Sequence, residues 1–214
     1  MTIKHHISDS LLMAYSAGQL PEAFNLVVAT HLSMCDDCRA VLGGFDAVGG
    51  ALVEGTDESP VSDAALDATL AMIASLRPVA DDVRVRAKGI FPAPLADYVG
   101  GDLANVKWRN LGRGVRQAIL PTAKGASVRL LHIPAGQAMP DHGHRGMELT
   151  LVLQGAFSDG VGRYNRGDVD VETEATQHTP VAEAGLPCIC LAATNAPLRF
   201  TGFIPRILQP LFRI

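Results

Sequence analysis

Histidine and cysteine residues lie close together in the stretch "HLSMCDDC", residues 31–38. His31 and Cys35 are four residues apart, and Cys35 and Cys38 are three apart. On or around a helix end, these spacings bring the three side chains to one face. Imidazole and thiolate groups are preferred ligands of tetrahedral Zn²⁺. The stretch therefore predicts three corners of a zinc site.

A fourth ligand is expected from the start of the chain, where His5 and His6 both precede the first predicted helix. Either histidine would fasten the N-terminus to the second predicted helix. A helical domain of roughly 75 residues is near the size at which one hydrophobic core barely suffices. A structural zinc can add about 10–16 kcal/mol of apparent binding free energy to the folding of such a domain.

Cys35 and Cys38 have two other interpretations. A CxxC pair can be a redox dithiol, but such pairs usually begin a helix after a strand, and no strand pattern precedes Cys35. A pair of ordinary core cysteines would have to bury the segment that contains Asp36 and Asp37. Zinc is favoured because it also accounts for His31 and the N-terminal histidine.

The full pattern, His6-x24-His31-x3-Cys35-x2-Cys38 with "SDSLLMAYSAGQLP" after the first histidine, resembles the zinc-binding anti-sigma domain. In that family a small helical bundle grips an extracytoplasmic-function (group IV) sigma factor and blocks its access to RNA polymerase. The resemblance implies the four zinc ligands and a sigma factor as partner. In some members oxidised thiols release the zinc, so a redox switch at Cys35 and Cys38 stays open.

A second group lies in "GQAMPDHGHRGMELTLVLQG", residues 136–155. His142 and His144 are two residues apart and point to the same side of a strand, and Glu148 can return to that side after a short turn. His178 is the later histidine that can complete the set. This spacing resembles the first cupin motif, and Gly167-Asp168 followed by His178 resembles the second motif more loosely.

A site of three histidines and a glutamate suits Zn, Fe(II), Mn or Ni, and the spacing does not choose among them. Catalytic cupins use such a site for dioxygen chemistry or isomerisation through an open coordination position. A cupin that has kept the fold with an empty site is the alternative.

Residues 1–80 predict a small helical bundle of about four helices. Apolar residues recur at helical spacing after Ser8 or Asp9, after Pro21, from Cys38 to Phe45, and in "SDAALDATLAMIASL", residues 62–76. The fourth helix follows the polar stretch 54–61, and it either packs on the first three helices or wraps around a partner.

Short apolar runs separated by Gly, Pro and Asn replace the helical pattern from about residue 107. Such runs are typical of a sandwich or jelly-roll barrel. Residues 81–106 are rich in Pro, Gly and charge and predict a linker. The predicted fold is therefore multi-domain α + all-β, with a zinc-binding helical domain (1–80), a linker (81–106) and a cupin β-barrel (107–214).

Charge is divided unevenly along the chain. Residues 1–80 carry three basic and ten acidic side chains, a net charge of −7, whereas residues 81–214 carry a net charge of +3. An acidic module repels DNA phosphates and suits a basic protein surface. No signal peptide and no apolar stretch of membrane length is visible. We therefore expect a cytoplasmic protein that binds neither nucleic acid nor membrane and has no disulfide.

The two modules in this order resemble the ChrR family of cytoplasmic anti-sigma factors over nearly the whole chain. The resemblance implies a non-enzyme that binds one group IV sigma factor through its helical domain. It implies Zn²⁺ in both sites and a cupin that senses or transmits an oxidative signal such as singlet oxygen. The alternative is a metal-dependent cupin dioxygenase or isomerase with a zinc-stabilised docking domain.

Overall fold

Helices occupy the N-terminal part of the chain in the computed structural model, which describes residues 2–76, 89–174, 176–197 and 199–200. Five α-helices and one 3-10 turn fall within these ranges: α1 (Asp9–Ser16), α2 (Glu22–Leu32), α3 (Asp36–Glu54), α4 (Ala65–Ser75), α5 (Ala93–Val99) and the turn Leu103–Asn105. Four of the helices precede residue 76, and the fifth lies inside the segment predicted to be a linker.

Local sequence explains where α2 and α3 begin. Pro21 is the N-cap residue of α2, where its missing N–H costs no helical hydrogen bond. Cys35 is the N-cap residue of α3, and Asp36 and Asp37 occupy the first turn of that helix. Their carboxylates lie at the positive end of the helix dipole, which stabilises the helix start.

The proline and glycine residues of the predicted linker delimit a helix rather than a flexible connection. Pro92 is the N-cap residue of α5, and Gly100 ends the helix in the left-handed region at φ 76°. Leu95 of α5 is fully buried. The Asp102 carboxylate accepts backbone hydrogen bonds from Ile90 and Leu103, which fixes the chain on both sides of α5. Residues 81–88 of the predicted linker lie outside the described residues.

Twelve strands follow in the described part of the chain, and all of their pairings are antiparallel. They are β1 (Arg109–Gly112), β2 (Val115–Leu120), β3 (Ser127–Ile133), β4 (His142–Gly143), β5 (Glu148–Gln154), β6 (Ala156–Ser158), β7 (Arg163–Asn165), β8 (Val169–Glu172), β9 (Gln177–His178), β10 (Val181–Ala182), β11 (Cys188–Thr194) and β12 (Arg199–Phe200).

These strands form three sheets rather than one closed barrel within the described residues. One sheet has six strands in the order β1-β2-β3-β11-β5-β8, and two sheets have three strands each, β10-β6-β7 and β12-β4-β9. Pro140 and Pro180 flank the two-residue strands β4, β9 and β10. Proline has no N–H to donate to a neighbouring strand, so the ladders end early at these points.

The six-stranded sheet is covered on both faces. Side chains on one face, including those of Leu130, Leu151 and Leu191, join the same apolar core as Phe24 and Val28 of α2. The opposite face forms a second core with the three-stranded sheet β10-β6-β7. All seven residues of β11 are therefore buried, which explains its nearly continuous apolar sequence.

Helix α4 differs from the other helices because none of its residues is buried. The side chains of Leu66, Leu70 and Ile73 are all more than half exposed. None of the helices in the described ranges combines the length and hydropathy that a bilayer crossing requires. The boundaries predicted for the helical and cupin modules stay a prediction, but the two parts share one core.

Two candidate metal clusters

The first cluster joins three separate parts of the helical region. His6 precedes α1, His31 lies in the last turn of α2, and Cys35 and Cys38 lie at the start of α3. One ligand atom from each of these four residues lies within 4.8 Å of the others. The cluster thus links the start of the chain to α2 and α3.

The distances within this cluster fit a tetrahedral zinc. His31 Nε2 lies 3.3 Å from Cys38 Sγ, and His6 Nδ1 lies 3.3 Å from Cys35 Sγ and 3.5 Å from Cys38 Sγ. Zinc at usual bond lengths places tetrahedral nitrogen and sulfur ligands about 3.5 Å apart. His5 is not part of this cluster, since its ring packs against Tyr164.

Burial keeps the thiol of Cys38 protonated in the absence of a metal. It raises the pKa of Cys38 to about 11, with a further contribution from the Cys35 thiol. Burial also lowers the pKa of His31, so this imidazole is ready to bind as the neutral ligand. A metal binds thiolate, so its binding here must release protons. The start of α3 assists because a helix N-terminus favours negative charge.

The orientation of His31 is set by the cupin part of the chain. Its Nδ1 lies 2.9 Å from the carbonyl oxygen of Gly167. Nδ1 therefore carries the proton and donates it to this carbonyl, and Nε2 is left to bind a metal. A hydrogen-bond acceptor on the ring nitrogen that does not bind the metal commonly changes the metal affinity of a histidine ligand.

Three histidines form the second cluster. His142 of β4 and His178 of β9 are directly paired across the two strands, and His144 follows β4. His178 Nε2 lies 3.3 Å from His142 Nε2 and 3.4 Å from His144 Nε2. Tetrahedral nitrogen ligands of zinc stand about 3.3 Å apart, so these three imidazoles also fit that ion.

Glu148 lies beside this cluster but not among its converging nitrogen atoms. One of its carboxylate oxygens is 3.8 Å from His144 Nδ1, the nitrogen that points away from the other two rings. In the described residues, Nδ1 of His144 has no hydrogen-bond partner. Burial raises the pKa of Glu148. The structure thus brings together three of the four predicted ligands and places the fourth next to them.

Carboxylates that the sequence analysis did not single out surround the far side of His178. Its Nδ1 lies 2.9 Å from Asp159 and 3.4 Å from Glu172. Asp170 completes this group, and burial together with Glu172 raises its pKa to about 7. The available signal was the alternation in "GDVDVE", which points two acidic side chains to one side of a strand.

The environment of the second cluster favours neutral imidazole. Burial lowers the pKa of His142 and of His144 to about 4. The Pro140 carbonyl oxygen lies 2.8 Å from His142 Nδ1 and accepts a hydrogen bond from its N–H, which leaves Nε2 to face the cluster. Both rings can therefore bind a metal near neutral pH without first losing a proton.

Two remaining cysteines and a histidine lie elsewhere. Cys188 and Cys190 are buried in β11 with their sulfur atoms 3.4 Å apart. Neither belongs to a group of potential metal ligands in the described part of the chain. His132 lies on β3 against Trp108 and Arg116.

Comparison with known proteins places this arrangement in a family. Residues 97–197 match the family model of the ChrR cupin-like domain. The Anti-sigma-E factor ChrR of Cereibacter sphaeroides is 59% identical over 214 residues, which is the whole of both chains. The chain belongs to the ChrR family. The predicted resemblance is confirmed over the helical region as well as the cupin.

A solved ChrR structure agrees with this assignment. The crystal structure of Rhodobacter sphaeroides SigE in complex with the anti-sigma ChrR contains a chain that is 58% identical, with a TM-score of 0.82. The match covers 90% of the present chain and 100% of that chain. ChrR proteins are regulators, so the cupin fold here belongs to a protein that is not an enzyme, and the enzyme alternative is not supported.

Proposed function

We propose that the chain is a cytoplasmic anti-sigma factor that binds and inhibits one group IV sigma factor. The observation that carries this proposal is similarity over the full chain to a ChrR protein, together with the complex between such a protein and SigE. We further propose that the cupin metal site is needed for release of the sigma factor in oxidative stress, such as singlet oxygen.

The surface available to a sigma factor is apolar and helical. The second half of α3 and all of α4 expose large apolar side chains, namely Val48, Leu52, Val53, Leu66, Leu70, Met72 and Ile73. Exposed apolar side chains that cluster on a helix commonly mark a protein interface. The surrounding residues 1–80 have a net charge of −7, which complements a basic partner. The exposure of α4 favours its wrapping around a partner over packing on α1–α3.

Zinc in the first cluster is proposed as a structural cross-link. The ligands would be His6, His31, Cys35 and Cys38, which come from the N-terminal segment, α2 and α3. Closing this cross-link would hold α3 at a fixed angle to α2 and so fix the apolar surface of α3. Removal of the metal should then weaken sigma binding without any change to the residues of that surface.

Zinc in the second cluster is proposed to be held by His142, His144 and His178, with Glu148 as the fourth ligand. The metal would supply a fixed positive charge within the cupin. The Pro140 carbonyl oxygen and the Asp159 carboxylate accept hydrogen bonds from the Nδ1–H groups of His142 and His178 and so hold the orientation of these two rings. We propose that the state of this cluster, rather than Cys35 and Cys38, reports the stress signal.

The proposed partner can be tested with a defined probe, the SigE protein of Rhodobacter sphaeroides. Co-expression of the full chain with SigE should give a complex with one copy of each protein. Adding the chain to a SigE-dependent transcription reaction should suppress the transcript. A folded, zinc-loaded chain that neither copurifies with SigE nor lowers transcription would contradict the assignment.

A second arm tests the role of the cupin cluster. We expect His142→Ala to leave inhibition of the sigma factor intact while a cellular reporter no longer responds to singlet oxygen. His132→Ala is the matched control, because it removes a cupin histidine outside the cluster, and its reporter should respond normally. A normal response of the His142→Ala chain would exclude the cluster from signalling.

A further inference from the structure

A groove lies where the first three helices meet α5. Its volume is about 540 Å³, and residues of α1, α2, α3 and α5 line it. Leu26 and Ala29 of α2 and Leu42 of α3 supply apolar surface, and Tyr15 and Tyr98 supply aromatic side chains. The groove is therefore suited to a long side chain with an apolar stem.

Two carboxylates make the groove acidic. Asp46 of α3 and Glu22 of α2 both line it, and no Lys, Arg or His is among its lining residues in the described part of the chain. The Asp46 carboxylate accepts a hydrogen bond from the neutral hydroxyl group of Ser16 at 2.5 Å. Within the described ranges, neither carboxylate forms an ion pair with a basic side chain. A cation from another molecule can therefore be their counter-ion.

The position of Glu22 is fixed by hydrogen bonds to residues beyond the helical region. The hydroxyl group of Tyr98 donates to Glu22 Oε1 at 2.8 Å, and the backbone N–H of Ala123, between β2 and β3, donates to Oε2 at 2.6 Å. These two hydrogen bonds, that of Ala123 above all, lower the pKa of Glu22. Glu22 is thus charged and held in one place before a partner binds, which reduces the cost of ordering it on binding.

The groove continues the exposed apolar surface of α3. Val53 follows Asp46 by seven residues, or two helical turns, so both side chains lie on the same side of α3. Asp46 is exposed, and Val53 is 71% exposed. A partner that packs along this side of α3 therefore passes over the groove. Its arginine or lysine side chains can place their apolar stems on apolar surface while the charged ends reach carboxylates.

We propose that this groove receives an arginine or lysine side chain of the bound sigma factor, with Asp46 and Glu22 as counter-ions and the leucines against the stem of that side chain. The proposal rests on the proposed anti-sigma function and adds the place at which a basic group of the partner binds. The net charge of −7 in residues 1–80 agrees with a basic partner. Exclusion of water by the bound partner would strengthen these ion pairs.

The charge of the groove can be tested with the SigE protein of Rhodobacter sphaeroides and the zinc-loaded full chain. Titration calorimetry at low and at physiological salt measures the affinity. Asp46→Asn keeps the shape of the side chain but removes its charge, so it should weaken SigE binding about tenfold or more and reduce the salt dependence. Asp57→Asn is the matched control at an exposed aspartate outside the groove. Its affinity should stay within about twofold of that of the unchanged chain.

The space within the groove is tested by a change that leaves every charge in place. Ala29→Leu adds bulk where the side chain of the partner would lie, and it should weaken SigE binding about tenfold. Ala40→Leu makes the same substitution at an exposed position of α3 outside the groove and should change the affinity by less than about twofold. Circular dichroism and zinc content check the folding of both variants. If Ala29→Leu does not fold, the exposed change Asp46→Lys replaces it, since a fixed ammonium group there should weaken binding about tenfold further than Asp46→Asn does.

The outcomes separate the groove from the anti-sigma function. If the unchanged chain binds SigE but Asp46→Asn or folded Ala29→Leu binds it equally well, the groove proposal is overturned and the proposed function stands. Equal weakening by Asp57→Asn would also overturn it, because the effect would then be one of overall charge. Where Asp46→Lys is used, an affinity equal to that of Asp46→Asn overturns the proposal. A folded, zinc-loaded unchanged chain that does not bind SigE contradicts the proposed function and the groove proposal together.

Discussion

Apart from His6, the histidine ligands of both clusters are held by oxygen atoms on the nitrogen that faces away from the proposed metal. His31 uses the Gly167 carbonyl oxygen, His142 uses that of Pro140, and His178 uses the Asp159 carboxylate. Each contact fixes the ring and the protonated nitrogen before a metal arrives. His144 is the exception in the described residues, because the carboxylate of Glu148 is 3.8 Å away from its Nδ1.

Replacing the carboxylate by an amide should therefore affect zinc affinity differently at Glu148 and at Asp159. As the proposed fourth ligand, Glu148 contributes a bond to the metal, so Glu148→Gln should lower the zinc affinity of the cupin cluster by more than about 100-fold. Asp159→Asn removes only the negative charge of the group that accepts from His178 Nδ1, a change outside the metal ligands, and should lower the affinity by no more than about 10- to 100-fold. Chelator competition with the purified variants measures both values.

His144→Ala provides the reference for complete loss of this cluster in that experiment. If Glu148→Gln weakens zinc binding no more than Asp159→Asn does, Glu148 only orients His144, and the assignment as a ligand is wrong.

Asp168 offers a second prediction about a single residue. Its side chain is fully buried, and its carboxylate accepts hydrogen bonds from the backbone N–H groups of Lys4, His5 and Asn165. These donors outweigh the effect of burial and lower the pKa of Asp168. Hydrogen bonds to a charged group are worth about 1.5–3 kcal/mol each, so Asp168→Asn should lower the free energy of unfolding by about 2 kcal/mol or more.

Urea denaturation of the zinc-loaded chain measures this loss. Asp57→Asn, at an exposed aspartate, is the control and should change the free energy of unfolding by no more than about 0.5 kcal/mol. Equal stability of the two variants would mean that Asp168 does not hold the N-terminal segment.

Among the elements, α2 and the strands it covers were the hardest to place from the sequence. Apolar spacing predicted α2, and short apolar runs predicted β3, β5 and β11. Apolar periodicity predicts that one face of a helix or strand is buried, but it does not predict which element packs against that face. The sequence therefore predicted β5 as part of a separate cupin barrel, without a helix packed against its leucines. In the structure they join the core of the helical part.

Metal ligands that lie close together in the sequence could be predicted from their spacing, whereas ligands distant in the sequence could not. Cys35 and Cys38 lie within one turn of α3 and needed no tertiary information. The distal His6 required a family resemblance to be chosen over His5, and His178 was chosen only as the later histidine that could complete the set, since sequence separation alone does not define proximity. The carboxylates Asp170 and Glu172 were missed because an acidic pair in a strand usually faces solvent.

Helix α4 carries a prediction of its own. Leu70 lies on its apolar stripe and is 53% exposed, so Leu70→Glu should leave the fold intact. It should weaken sigma binding by about tenfold or more, as the loss of a central apolar contact in an interface does. Ala68→Glu adds the same charge on the opposite side of the helix and is the control. Titration calorimetry with SigE would show unchanged affinity for both variants if α4 were not part of the interface.

At the scale of the whole molecule, the helical and cupin parts are joined at several places. Helix α2 packs on β3, β5 and β11. The N-terminal segment hydrogen-bonds to the Asp168 carboxylate and to the N–H of Val169 at the start of β8, and the Gly167 carbonyl oxygen accepts a hydrogen bond from the proposed zinc ligand His31. A signal that changes the cupin therefore has direct contacts through which it can reach the helical part. It can act on the first metal cluster through contacts that are already made.

The two clusters should differ in their sensitivity to acid, which gives a prediction about the order of metal loss. Binding at the first cluster displaces the proton of Cys38, whose pKa is about 11. Below that pH, each unit of acidification should cost about tenfold in affinity for every thiol proton displaced. His142 and His144, with pKa values of about 4, stay neutral between about pH 5 and 7 and compete little with a metal. Acidification should therefore empty the first cluster before the second.

Cobalt-loaded chain titrated from pH 8 to pH 5 should lose the near-ultraviolet thiolate-to-cobalt charge-transfer band while the cupin cobalt is retained, as counted after gel filtration. The His144→Ala chain, which holds cobalt only in the first cluster, is the control that assigns the band. A cupin affinity that falls tenfold per pH unit around pH 6.5 would show that these imidazoles titrate as exposed histidines do, and that burial does not keep them ready for a metal.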